Sequence, residues 1–268
     1  MKLQTGKIEI IGLLITSLTL LCCFPFFEFI LTANPPKENR ILQLGSAKCS
    51  FRIYQNKYAI AKLIALHGNE NTCIAASLAL PHSSSSFALY ELMQNGNRLL
   101  KYIYNNKNYY FDPNRIFSKK GIIKTLKKYN KSYPSKLITK IKSFADAVLK
   151  IVAIKSSSKY IIAIHNNTDG HFSVNSYENT SNASMIYMNK SQDPDDFFLV
   201  TKESDFTFFK AQKQNVVLQS KSAEDDGSLS IYCQTHKVLY INVEAQIGHK
   251  EKQIDMLLLC KRLLTKSH

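Results

Sequence analysis

The 268-residue sequence predicts an α/β domain with a mainly parallel or mixed sheet, and three observations carry that prediction. From about residue 50 onward, short β-branched or apolar runs alternate with stretches of helical periodicity, as strands and their connecting helices do. Hydrophobic residues make up 45% of the chain against 21% charged, which supplies a core and excludes wholesale disorder. Glycine (9) and proline (7) are scarce, and no repeat of roughly 20–50 residues recurs. Collagen-like, solenoid and linker architectures are thereby excluded.

Lys2 and Lys7 precede a mostly apolar run from Ile8 to Leu31, which Asn34-Pro35-Pro36 ends. A basic start followed by roughly 14 apolar residues fits the hydrophobic region of a signal peptide, and about 24 residues suffice for an uncleaved anchor. Residues 1–33 are therefore expected to be a signal peptide or membrane anchor, and 34–268 a single exported domain, periplasmic, secreted or membrane-tethered. The leader holds Lys2 and Lys7 against Glu9 and Glu28, so the whole formal charge of +15 stays with the domain. Such an excess ordinarily suggests a polyanion partner. Here the lysines read as scattered singly or in pairs, without an arginine-rich stripe or a nucleic-acid motif, so no nucleic acid is expected. Cys49, Cys73, Cys233 and Cys260 are widely separated, which indicates neither a disulfide framework nor a cysteine zinc site; at least one buried free thiol is expected.

Three runs read as buried strands: Tyr58 to Leu66, Tyr160 to Ile164 and Val238 to Val243, each followed at once by a His or Glu. Pro134-Ser135 opens a helix on Leu137, Ile138, Ile141, Phe144, Ala145, Val148 and Leu149, and another is expected from about Lys250 to Leu264. Ser83–Ser86 and Asn175–Ser184 read as surface loops.

After the first strand stands His67-Gly68-Asn69-Glu70, a tight turn before an apolar helix. An imidazole and a carboxylate three residues apart suit a zinc ion, and His165 at the end of the second strand supplies a third ligand. Two histidines and one carboxylate leave a position for water, whose pKa zinc lowers to ~7. Glu244, at the end of the third strand, is the candidate general base, since a buried carboxylate is costly unless paired or working. Arg115 offers a planar donor fork for a substrate carboxylate, with Asn114 beside it. Asn166, His171 and His249 are further candidate substrate contacts. The plain alternatives are a helix start for His67 and Glu70, a loop-closing salt bridge for Arg115, a structural carboxylate for Glu244 and surface positions for His171 and His249. Asp193-Pro194-Asp195-Asp196 and Glu224-Asp225-Asp226-Gly227 lack calcium-loop spacing and read as solvated turns or caps.

The order His67-x-x-Glu70, Asn114-Arg115, His165, Glu244 resembles the zinc carboxypeptidase superfamily, and most of all its aspartoacylase and succinylglutamate desuccinylase branch. That branch carries a His-Gly-Asn-Glu turn, an Asp-Leu-Asn-Arg-x-Phe segment, a strand ending in His-Asn-Thr-Thr and a Val-Glu-Val. This chain has His67-Gly68-Asn69-Glu70, Asp112-Pro113-Asn114-Arg115-Ile116-Phe117, His165-Asn166-Asn167-Thr168 and Val243-Glu244. The resemblance spans roughly residues 58–250. It implies a three-layer α/β/α sandwich around a mixed, mostly parallel central sheet. One zinc ion per chain would be held by His67, Glu70 and His165. Asn114 and Arg115 would hold a substrate carboxylate, or Arg115 would polarise the scissile carbonyl; Glu244 would activate water and then protonate the leaving amine. Pro113 replaces the branch's usual Leu, and the stretch Ala245 to His249 departs from its wording. Lys107 is the candidate for a basic residue that the branch carries just upstream of Asn-Arg.

The expected function is an exported zinc hydrolase that cleaves an amide or peptide bond beside a free carboxylate. Its substrate would be a peptide or acylated amino acid, cell-wall peptide included. Two other classes stay open: a binding protein of this fold that has lost the chemistry and holds an anionic peptide or glycan, and a membrane-surface scaffold that relies on its lysines.

Overall fold

The computed structural model describes residues 38–80, 86–94, 96–154 and 158–266. The expected leader, 1–33, lies outside them, as does Ser83–Ser85 of the first expected loop. The strands are β1 (Glu38–Leu44), β2 (Ala47–Tyr54), β3 (Ala61–Ala65), β4 (Phe87–Met93), β5 (Leu100–Tyr104), β6 (Lys107–Phe111), β7 (Tyr160–Asn167), β8 (Ala183–Tyr187), β9 (Phe197–Val200), β10 (Val216–Gln219) and β11 (Tyr240–Gln246). The helices are α1 (Asn71–Ala79), α2 (Lys119–Tyr129), α3 (Lys136–Ile151), α4 (Glu203–Ala211), α5 (Leu229–Thr235) and α6 (Lys250–Lys266).

Nine strands form one mixed sheet in the order β1-β2-β4-β3-β7-β11-β9-β10-β8. Its centre, β4-β3-β7-β11, is parallel, and antiparallel pairings join β2 to β4 and β11 to β9. The expected α/β/α sandwich is present. On one face Ile161, Ala163 and Tyr240 pack with Ile122 and Leu126 of α2, the apolar stripe of α3, and Leu229, Tyr232 and Cys233 of α5. On the other, Ile162, Ile164, Ile241 and Val243 pack with Cys73 of α1, Phe206 and Phe209 of α4, and Met256, Leu257 and Cys260 of α6. Helix α3 shows why these layers hold. Leu137, Ile141, Phe144, Val148 and Leu149 recur on one stripe and are buried, each large side chain contributing about 1.5–3 kcal/mol. All four described cysteines are buried and free, and burial pushes the Cys49 thiol up to about 12. No helix among the described residues is long and apolar enough to cross a membrane.

Some boundaries differ from expectation. The first strand begins at Ala61, because Tyr58 sits exposed in the preceding turn. The second and third run past their expected ends. Parallel pairing continues from Glu244↔His165 to Gln246↔Asn167, so these two chemical residues lie within strands rather than after them. Asn175–Ser184 is not all loop: a 3-10 turn occupies Val174–Tyr177, and β8 begins at Ala183.

A small hairpin, β5 with β6, stands apart from the main sheet and delivers the segment 112–115. Asn105 and Asn106 close it with φ of 49° and 57°, the left-handed pair that a tight hairpin requires and asparagine tolerates. Helix α2 then starts on Ser118, whose hydroxyl accepts from the Gly121 N–H at 3.0 Å and donates to Asp225 at 2.8 Å. Gly121 sits against Gly227 and the Arg115 carbonyl; an added Cβ would come within 2.3 Å of the Gly227 Cα. Gly121→Ala is expected to destabilise the domain by about 1–3 kcal/mol through overpacking, read as a lower denaturant midpoint with an unchanged slope.

Candidate metal centre

The site is assembled at the carboxyl-terminal ends of β3, β7 and β11, with the segment after β6 closing one side. Leu66 to Glu70 turn from β3 into α1. Gly68 permits a close approach there: its N–H donates to the Asn97 carbonyl at 3.1 Å, and a Cβ would lie 2.7 Å from the Gln94 Cβ. The Gln94 amide bonds the Leu66 carbonyl in addition. The turn is thus clamped to the β4–β5 loop, which carries Arg98.

Glu70 occupies the N-cap position of α1, yet its side chain makes no cap bond. It turns back to the imidazoles instead. Its Oε1 lies 2.8 Å from His67 Nδ1, and its Oε2 lies 2.9 Å from His165 Nδ1. The three side chains are almost sealed from solvent, at 3%, 1% and 3% exposure for His67, Glu70 and His165. One ligand atom from each falls within 4.8 Å of the others, close enough to share one ion. The other ring nitrogen of His67, Nε2, faces Asp112 Oδ1 at 2.8 Å. A carboxylate there fixes ring orientation and raises ligand basicity. Asp112 is itself held, its N–H donating to Thr125 of α2 and its Oδ1 accepting from the Asn114 N–H, both at 2.8 Å. Arg98 spans the acids, with Nη1 3.1 Å from Glu70 and Nη2 3.5 Å from Asp112.

Glu244 pairs in register with His165 across β11 and β7, on the same face of the sheet. It is 6% exposed, and Asn242, two residues back on that face, donates to its Oε1 at 3.0 Å. Burial pushes the Glu244 carboxyl above its usual range, with His165 opposing the shift. Burial acts the same way on Glu70, but His165 and His67 outweigh it and hold the carboxyl down at about 2. For His67 burial favours the neutral ring; the carboxylates of Glu70 and Asp112 overcome that and lift it to about 9. Asp112 is driven below its ordinary value by His67 and Arg98 in spite of its own burial. The site thus draws in positive charge, and its donor set of two imidazoles and one carboxylate fits zinc.

The chain trace is similar to those of several solved proteins. Murein-tripeptide amidase MpaA from Escherichia coli O157 matches over 84% of this chain and 92% of that one, at 11% identity and a TM-score of 0.40. N-formylglutamate amidohydrolase from Ralstonia eutropha JMP134 matches over 81% and 97%, at 12% identity and a TM-score of 0.37. The tripeptide-bound cell shape determinant Csd4 from Helicobacter pylori matches over 86% of this chain but 55% of its own, at 10% identity and a TM-score of 0.43. No protein-family model and no curated protein sequence matches the chain. Likenesses this distant concern the path of the chain, and the chemistry has to come from the side chains themselves.

The other expected site residues are placed as follows. Asn114 reaches the centre, its Nδ2 3.4 Å from His165 Nε2, while its Oδ1 accepts from the Leu229 N–H at 2.9 Å. Arg115 folds over its own segment, with Nη1 donating to the Asn114 carbonyl at 2.6 Å and Nε 3.4 Å from Asp226. Asn166 is a correction. Side chains alternate along a strand, so a neighbour of His165 points to the opposite face. There its Oδ1 accepts from the Cys73 N–H in the first turn of α1 at 2.8 Å, and its Nδ2 donates to Ala245 and Gln253. It is a helix cap supplied from a strand rather than a substrate contact. His171 is exposed in the turn after β7. His249 is engaged elsewhere, pairing with Asp196 at 3.1 Å beside Asp193. Asp195 and Asp196 are not solvated, at 1% and 4% exposure, and tie the start of β9 to Gly170 and Gln246. Lys107 is exposed at the start of β6, and Arg98 is the basic residue that touches the site.

Sequence reasoning missed Arg98 and the role of Asp112. Asp112 stood in plain view beside Asn114-Arg115, whereas Arg98 sits in a loop with no motif around it. His67→Ala and His165→Ala are each expected to abolish zinc in the purified chain, measured by elemental analysis. Asp112→Asn should keep the metal but weaken its affinity about 10–100-fold in chelator competition.

Proposed function

We propose that this protein is a zinc-dependent hydrolase that cleaves an amide or peptide bond next to a free carboxylate. One observation carries the reading: His67, Glu70 and His165 converge on a common point, with Glu244 in register beside them. Zinc in such a set supplies Lewis acidity, lowering the pKa of water to about 7 and polarising a carbonyl. The remaining work falls to the chain. Glu244 takes a proton from the attacking water and passes it to the leaving amine; its raised pKa favours holding that proton between the two events. Asn242 fixes the oxygen that is not reacting.

Arg115 and Asn114 hold the substrate's acid end. The Arg115–Asp226 pair, 3.4 Å apart with both side chains more than one-third exposed, contributes about 0–1 kcal/mol. A bidentate carboxylate is a stronger partner and displaces it. Taking the apolar N-terminal run as an export segment, which is part of this proposal, the substrates we propose are peptides outside the cytoplasm, cell-wall peptide among them.

Glu244→Gln is expected to retain one zinc per chain while turnover on short peptides falls by about 10²–10⁴-fold. Full activity in that variant overturns the mechanism. Peptides with an amidated carboxyl terminus should be poor substrates, and Arg115→Ala should raise KM for free-acid peptides while leaving amidated ones unchanged.

A further inference from the structure

We propose that the outer face of α2 and α3 docks on an anionic phospholipid bilayer, independently of the reaction at the metal centre. Residues 119–150 hold ten lysines, no arginine and a single acid, Asp146, so nine of the fifteen net positive charges fall in this stretch. An even spread of the 35 basic residues would place about four there. The lysines read as scattered along the chain are thus denser in this stretch, and the fold sets them on one layer. Both helices turn their apolar stripes to the core, which leaves the lysines outward. Lys119, Lys127, Lys128, Lys131, Lys136 and Lys140 are exposed and outside the ion pairs found among the described residues. Glu224 answers Lys120 and Lys124, and Asp146 answers Lys142.

The composition of the face selects the partner. Lysine is a compact point charge on a flexible stem, suited to diffuse headgroup charge, whereas a phosphate or base edge read in two places calls for the arginine fork. Tyr129 and Tyr133 are only partly exposed, so the face lacks the open aromatic platforms on which single-stranded nucleic acid stacks. Lysines within a Debye length of an anionic leaflet, about 10 Å at 0.1 M salt, add to its attraction.

The test is vesicle co-sedimentation of the full chain, with phosphatidylcholine alone or with one-third phosphatidylglycerol. The variants are Lys119→Glu/Lys131→Glu/Lys136→Glu/Lys140→Glu and the same four positions changed to Arg. Lys119 and Lys136 lie in first helical turns, where an acid suits the helix dipole, and unchanged thermal melting confirms the fold. Residues 1–33 are common to every protein compared. Wild type is expected to prefer the anionic vesicles and to lose binding as salt rises from about 50 to about 300 mM. The Glu variant should lose roughly a hundredfold or more in affinity, and the Arg variant should retain it. Equal binding to both vesicle types, salt-insensitive binding, wild-type binding by the Glu variant or loss by the Arg variant each overturns the proposal. Preference for duplex DNA over vesicles at matched phosphate overturns the choice of partner.

Discussion

A single buried carboxylate, Glu70, gripping two imidazoles from separate strands is the contact on which the site depends. Its two oxygens lie 2.8 and 2.9 Å from His67 and His165, residues 98 positions apart in the chain. A carboxylate at 1% exposure is expensive to desolvate unless it is paired and hydrogen-bonded. The surroundings answer that cost. Arg98 approaches Glu70 from the β4–β5 loop, and Asp112 braces the far side of His67. Gly68 makes it possible, because only a residue without Cβ lets the His67–Glu70 turn press against that loop.

The same charge arrangement explains why the residues suit a metal. Glu70, Asp112 and Glu244 bring three acids into a confined volume, partly balanced by Arg98, whose side chain is 44% exposed. His67 responds, its imidazole being lifted to about 9 by the acids around it. A divalent ion answers the same demand with one centre of charge. Glu244 stands outside the carboxylate–imidazole pairings, bonded by Asn242, and its carboxyl alone of the three is raised. Three acids in one neighbourhood are thus tuned apart by their partners, two toward ligation and support and one toward proton transfer.

The sheet divides this labour by the two-residue period of its strands. His165, Asn242 and Glu244 face the α2–α3–α5 side, while Asn166 faces α1 and α6. On that second side Asn166 bonds α1, and Gln253 of α6 donates to the His165 carbonyl at 3.0 Å. Two helices are thereby pinned to the strand that carries the ligand, so the scaffold beneath the site is polar and hydrogen-bonded rather than merely apolar.

Much of this was legible in the amino-acid order. The alternating runs announced an α/β domain with a mainly parallel or mixed sheet, the sandwich being implied by the family resemblance, and the turn His67 to Glu70, the pair Asn114-Arg115, His165 and Glu244 stood out by residue type and position at strand ends and loops. The spacing of α3 and α6 was equally plain, since helical periodicity is a local property. Partners across the fold were not legible. Arg98 meets Glu70 only because a glycine lets two loops touch; Asn166 leaves the site because strand alternation turns it away; and Asp195 and Asp196 are buried just before β9, bonded to the Gly170 and Gln246 N–H groups. By itself the sequence determined which residues had reason to gather and which segments had to be helix or strand, for those follow from local chemistry and period. Only the tertiary structure decided who meets whom, because hydrogen bonds and ion pairs are set by distances that sheet register and layer packing create.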